Sequence, residues 1–210
     1  MEHQTLNGTI ALRDYQEIDP RLAQIQHYWN ALRRPNGLPS RAEIQPFQLG
    51  NSLQHSFILQ RTDTGSTRVR FAGQTLQNHL GLDPRGMPFP MFFHAAVRDQ
   101  VSETLMAVLT KPCTLRCTLE TEQATFQMLM LPMTDQTGAA TRILGGIVVT
   151  AGSDQAARAQ FRFQDGKAFC CHPVSHVNEL NPLPRGLALQ NKRPHASRPA
   201  LRLIVDNTAA

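Results

Sequence analysis

Arg68-Val-Arg-Phe-Ala-Gly73, running on through Gln74-Thr-Leu-Gln-Asn-His-Leu-Gly81 to Leu82-Asp-Pro-Arg-Gly86, reads as a strand, a short helix and a turn. Val69 and Phe71 alternate with Arg68 and Arg70, the period of a half-buried strand. Gly73 ends that strand, and Leu76 and Leu80 share one face of the helix that follows. Gly81 stands where a left-handed cap belongs, and Asp83-Pro84 and Gly86 are turn formers.

Upstream, His55-Ser-Phe-Ile-Leu-Gln60 reads as the partner strand of a hairpin, joined by the turn Thr62-Asp-Thr-Gly-Ser66. Pro46 starts a short helix bearing Leu49 and Leu53, although Gln45 stands where an acidic cap is expected. Earlier still, Asp19 as N-cap and Pro20 at the first helical position open a longer helix. Its Leu22, Ile25, Trp29 and Leu32 form one apolar stripe, which fits either packing on its own sheet or a dimer contact. Residues 1–18 show no clear period and read as an N-terminal arm.

Downstream, Met87-Pro-Phe-Pro-Met-Phe-Phe93 is too broken for a long helix. His94 opens one, with Val97, Val101, Leu105 and Val108 on a common face, and Lys111-Pro112 ends it. Three strands follow. Cys113, Leu115, Cys117 and Leu119 alternate with Thr114, Arg116, Thr118 and Glu120, so Cys117 should face the core. The strand carrying Phe126, Met128 and Met130 is also apolar at Leu129 and Leu131, which places it centrally. Pro132 weakens its end, and Ile143-Leu-Gly-Gly-Ile-Val-Val149 is the last of the three.

This order of elements resembles the PAS fold, and more closely the stand-alone bacterial PAS-like proteins. The motifs that carry the resemblance are Tyr28-Trp29, Leu38-Pro-Ser-Arg41, Arg70-Phe-Ala-Gly73, Leu131-Pro132 and Leu144-Gly-Gly146, in that order. The resemblance implies an α+β fold: a five-stranded antiparallel sheet with helices on one face, a flanking N-terminal helix and an irregular C-terminal tail. The expected divisions are an arm (1–18), a PAS-like domain (19–150) and a basic, proline-containing extension (151–210). Within that extension only residues 159–164 and 201–205 read as strands, and 165–200 should lack regular structure.

The chain has 210 residues, 41% hydrophobic and 6% aromatic, so a mostly aliphatic core is expected. It lacks an apolar run of about 18 residues and a secretory signal at its start, so the expected compartment is the cytoplasm. Its four cysteines then read as reduced thiols. The net charge of +5 is concentrated after Ser153, where eight basic residues face four acidic ones. A tail of that kind can contact nucleic acid or anionic lipid, but its charge is spread thinly and nucleic acid is not the expected partner.

No nucleophile elbow, phosphate loop or His-Glu-x-x-His is present, so no enzyme is expected. Cys113 and Cys117 would stand about 13 Å apart along a strand, too far for one zinc. Cys170-Cys171-His172 with His176 offers soft donors without finger spacing, and no metal site is assigned there. His79, Phe89, Phe92, Phe93, His94, Cys117, Met128 and Met130 are the candidate lining of an apolar ligand pocket. The resemblance admits haem through His79 or His94. The Asn-Cys-Arg-Phe motif of flavin light sensors is absent, and the expectation is no cofactor or an unnamed small molecule. Arg158 and Arg162 match half of the cyclic-dinucleotide motif of PilZ domains and could contact phosphate.

The expected function is a non-enzymatic PAS-type sensory or protein-interaction module in bacterial signal transduction. It would form a homodimer and act on a signalling partner in trans, with a small-molecule ligand allowed. The alternative is a second-messenger or nucleic-acid binder that works through the basic tail.

Overall fold

The computed structural model describes residues 18–34, 37–153 and 160–163, together with the backbone of 169–173 and 203–205. Helix α1 (Pro20–Ala31) starts as its sequence dictates, with the Asp19 carboxylate accepting from the Arg21 N–H at 2.9 Å. A 3-10 helix over Pro46–His55 leads into strands β1 (Ser56–Arg61) and β2 (Thr67–Ala72). Gln45 makes no side-chain cap. Its N–H donates instead to Tyr28 Oη at 2.8 Å, which gives the Tyr-Trp motif its first task.

Helix α2 (Gln74–Leu80) ends at Gly81, whose φ of 63° is the left-handed cap expected there. After 3-10 turns at Phe89–Phe92 and Ala95–Val97, helix α3 covers Arg98–Thr110. His94 therefore caps a 3-10 turn and does not itself open the long helix. Strands β3 (Cys113–Glu120), β4 (Ala124–Thr134) and β5 (Ala140–Gly152) complete the expected five. The extension adds β6 (Arg162–Phe163), β7 (Phe169–Pro173) and β8 (Leu203–Val205).

Among the described residues the sheet runs β2-β1-β5-β4-β3-β7-β8, with β6 also paired to β3. The five central strands are antiparallel, and β7 pairs β8 in parallel. The described segments of the extension, β6, β7 and β8, continue the sheet. The strands foreseen at 159–164 and 201–205 are present in shorter form, whereas β7 was not foreseen. The rest of 165–200 lies outside the described residues.

Both sheet faces are covered. Helices α2 and α3 with the turns before α3 close the inner face, over Phe57, Leu59, Val69, Leu115, Leu119, Phe126, Met128 and Met130. On the outer face α1 buries Leu22, Ile25 and Trp29 against Leu129, Leu131, Met133, Leu144 and Val148, with Leu32 half-buried at the margin. Trp29 donates Nε1–H to the Pro132 carbonyl at 2.9 Å, joining the Tyr-Trp and Leu-Pro motifs. This settles the two readings of the apolar stripe: it packs on its own sheet. Leu22, Ile25 and Trp29 are at most 1% exposed and are not available as a dimer surface.

Two glycines make this double layering possible. A Cβ on Gly145 would lie 2.0 Å from the Phe57 ring, and one on Gly146 would lie 2.6 Å from Leu22 and 2.8 Å from Ile25. One glycine of Leu-Gly-Gly therefore admits a ring on the inner face, and the other admits α1 on the outer face.

Two register findings refine the sequence reading. Cys117 faces the inner core as expected, but Thr118 is equally buried at 8%, because the outer face of β3 is also covered. Val69 and Phe71 do not share a face. Ile58 pairs with Phe71 and Leu59 with Val69, so Arg70 is an extra residue in β2. That bulge sends Phe71 to the outer cluster while Val69 stays in the inner one.

Cys113 is disulfide-bonded, which corrects the reading of every cysteine as a reduced thiol. The strand carrying Cys170 and Cys171 runs beside β3, with Leu115 opposite Cys171, a proximity that sequence separation concealed. Cys117 is a buried thiol.

Candidate functional site

The inner core is where the candidate residues meet. Helix α2 presents His79 from its last turn, next to the buried Leu76 and Leu80 that hold the helix on the sheet. Proline-broken backbone at 88–93 turns Phe89, Phe92 and Phe93 inward together, something a regular helix could not do for adjacent residues. Strands β3 and β4 supply Cys117, Met128 and Met130 from below. Seven of the eight candidates thus converge in one buried layer. His94 does not: it is half-buried outside that layer, and its backbone N–H donates to the Phe161 carbonyl at 2.9 Å.

The centre of this layer is a set of rings around His79. Phe161 lies stacked on it at 4.6 Å between centroids, and Phe126 meets it edge-on at 4.7 Å. Phe161 also contacts Phe93 at 5.6 Å and Phe126 at 5.2 Å. Phe57 stacks on Phe89 at 5.3 Å. His79 is 3% exposed and Phe161 fully buried. Offset and edge-on ring pairs of this kind add about 0.5–1.5 kcal/mol each beyond simple burial.

Phe161 is the residue that sequence reasoning did not place at the site. It comes from beyond β5 and is held by its N–H to Phe92 O at 2.9 Å and by the bond from His94. Phe163 follows opposite Leu119 and touches Phe93 at 5.6 Å. The signal was the alternation Phe161, Phe163 in residues 159–164, which gives a strand but not its destination.

A second buried polar contact joins His55 Nδ1 and Thr75 Oγ1 at 2.7 Å, tying the start of β1 to α2. Arg162 is exposed opposite Glu120 on β3, while Arg158 lies outside the described residues. No group of three metal-ligating side chains occurs among the described residues. The side chains of Cys170, Cys171 and His172, and residue His176, lie outside them. No helix among the described residues is long and apolar enough to cross a membrane.

A helix cluster over one face of a sheet in the order 2-1-5-4-3 is matched by a family model. The model for the PAS domain covers residues 18–148. The chain belongs to the PAS domain family. The match begins just before α1 and stops inside β5, so the flanking helix falls within the PAS unit and Phe161 falls outside it. No curated protein sequence matches the chain. PAS domains are sensory and interaction modules, generally without catalysis of their own. The buried ring layer of this PAS domain holds the His79 imidazole and the Cys117 thiol among apolar side chains.

Proposed function

We propose that this PAS domain is a non-enzymatic sensory or interaction module of bacterial signal transduction, acting on a signalling protein in trans. The observation that carries the reading is Phe161. A residue from outside the PAS unit occupies the middle of its interior, stacked on His79. The state of the interior is thereby linked to the position of the C-terminal extension.

A flat apolar small molecule that competes with Phe161 for the face of His79 would shift the extension, and the extension would report to the partner. Such a ligand acts only through its differential affinity for the seated and unseated states.

The test compares the full chain with its Phe161→Ala variant by cross-linking in source cells and by native mass spectrometry. The expected result is a cross-linked protein partner whose yield changes when Phe161 is removed. A full chain that captures no partner, or a partner indifferent to the substitution, overturns the reading.

A further inference from the structure

Two of the family-like motifs, Leu38-Pro-Ser-Arg41 and Arg70-Phe-Ala-Gly73, have arginines that the aromatic interior does not use. They meet on the opposite side of the sheet. Ser40 caps the 3-10 turn Arg41–Glu43 in a capping box and forms a bridge to Thr134, with the Thr134 N–H donating to Pro39 O at 2.9 Å. That seats Arg41 beside the end of β4. The neighbouring residue Met133 pairs across to Arg142 on β5, and Arg142 pairs across to Gln60 on β1. Gln60 in turn accepts from Arg70 Nε at 2.6 Å. Arg70 is in this row because the β-bulge makes it the extra residue of β2.

Arg142 Nε is buried and has no hydrogen-bond partner among the described residues. None of Arg41, Arg70 and Arg142 belongs to an ion pair among the described residues. The nearest acid, Asp135, is saturated by its own turn. It accepts from the Thr137 and Ala139 N–H groups and from the Thr137 and Thr141 hydroxyls. Burial lowers the Arg142 pKa and repulsion from Arg70 and Arg41 adds to that effect, while the Asp135 charge opposes it in part. Glu43, the remaining carboxylate near Arg41, is taken by Arg34 at 2.8 Å and by the Ser40 N–H.

We infer that Arg41, Arg70 and Arg142 form a binding site for the phosphate group of a phosphorylated small molecule. A carboxylate has two oxygens and one charge, which a single forked guanidinium satisfies. Three guanidiniums around one place match the greater charge and additional oxygens of a phosphate, and Gln60 is at hand as a further polar group. The site lies on the outer face, so it stands whether or not the aromatic interior takes a ligand.

Isothermal titration of the full chain with inorganic pyrophosphate, and separately with succinate, at low ionic strength tests this. Pyrophosphate should bind more tightly than succinate. Arg41→Gln, Arg70→Gln and Arg142→Met should each weaken it by about tenfold or more, since each removes a charge-assisted contact. Arg158→Gln with Arg162→Gln should leave it unchanged. Arg70 is exposed and Arg41 half-buried on a 3-10 turn outside the sheet, so their variants report even if Arg142→Met does not fold, which Trp29 emission would reveal. Absence of pyrophosphate binding overturns the site. So does a preference for succinate, or binding that ignores Arg41 and Arg70 and is lost with the Arg158 and Arg162 pair.

Discussion

The two faces of the sheet are closed by different means. The outer face is covered by a regular helix that precedes the sheet, whose Leu22, Ile25 and Trp29 fit a largely aliphatic surface. Its lid is pinned at Trp29 to Pro132 and at Tyr28 to Gln45. The inner face is filled with rings, and its last ring, Phe161, arrives on a short segment after the sheet. Two backbone bonds to Phe92 and His94 and a two-residue pairing with β3 hold that segment. A continuous, multiply anchored lid is a structural element. A short lid with few bonds is the kind of element that opens locally at a fraction of the global stability. Under the function proposed above, the inner face is the sensing half of this PAS domain and the outer face its scaffold.

The largest expected effect breaks the outer face. Leu22→Glu combined with Ile25→Glu puts two carboxylates into a fully covered layer, where an unpaired charge is strongly disfavoured. The double variant should lose its cooperative thermal transition altogether. A folded variant that merely falls from dimer to monomer would restore the stripe as an interface between copies and refute the packing described above.

The next effect sharpens the comparison at Leu144-Gly-Gly146. Gly145→Ala forces a methyl against the fully buried Phe57 ring, which is itself stacked on Phe89 and has no room to yield. Gly146→Ala meets only the ends of Leu22 and Ile25, which can rotate. Overpacking of this sort costs about 1–3 kcal/mol, and the Gly145 variant should lie at or above the top of that range and the Gly146 variant near the bottom. Urea midpoints measure both. Equal losses would mean that the outer lid is as rigid as the ring layer.

The smallest effect concerns how α1 is anchored. Its N-cap Asp19 has a carboxyl held below the ordinary value of 3.8, chiefly by the side-chain hydrogen bond from Arg21. Because the folded-state pKa is depressed, the contribution is fully present above that ordinary value. It is lost as pH falls through the lowered folded value. Asp19→Ala should cost about 1 kcal/mol near neutral pH, and the gap to the unaltered chain should close in strong acid. A gap that is constant with pH would assign the effect to local packing in place of the charged cap.

Much of this was legible in the sequence because it rests on local chemistry. Asp19-Pro20 before an apolar stripe starts a helix, Gly81 readily takes the left-handed cap, and the alternation from Cys113 to Glu120 sets one face of β3. Residue type alone singled out the rings at 89–93 and the methionines of β4 as one apolar set. Other features depend on where distant segments land, and composition carries no record of that. The bulge at Arg70 is set by pairing with β1, and it alone separates Phe71 from Val69. Burial of Thr118 follows from a second covered face. The Cys113 disulfide leaves no sign in the spacing of the four cysteines.

His79 could be named as a candidate from its place on a short helix, but not its ring neighbours. Phe161 is 82 residues further on, and only the folded sheet brings the two together. The same holds for Arg41, Arg70 and Arg142: each reads alone as a solvated side chain, and only strand register gathers them. Local patterns of residues determined which elements form and which side of each is apolar, because backbone geometry and desolvation act within a few residues. Tertiary structure decided which apolar and charged groups share a space, because that depends on pairing across the sheet and on which face each connection closes.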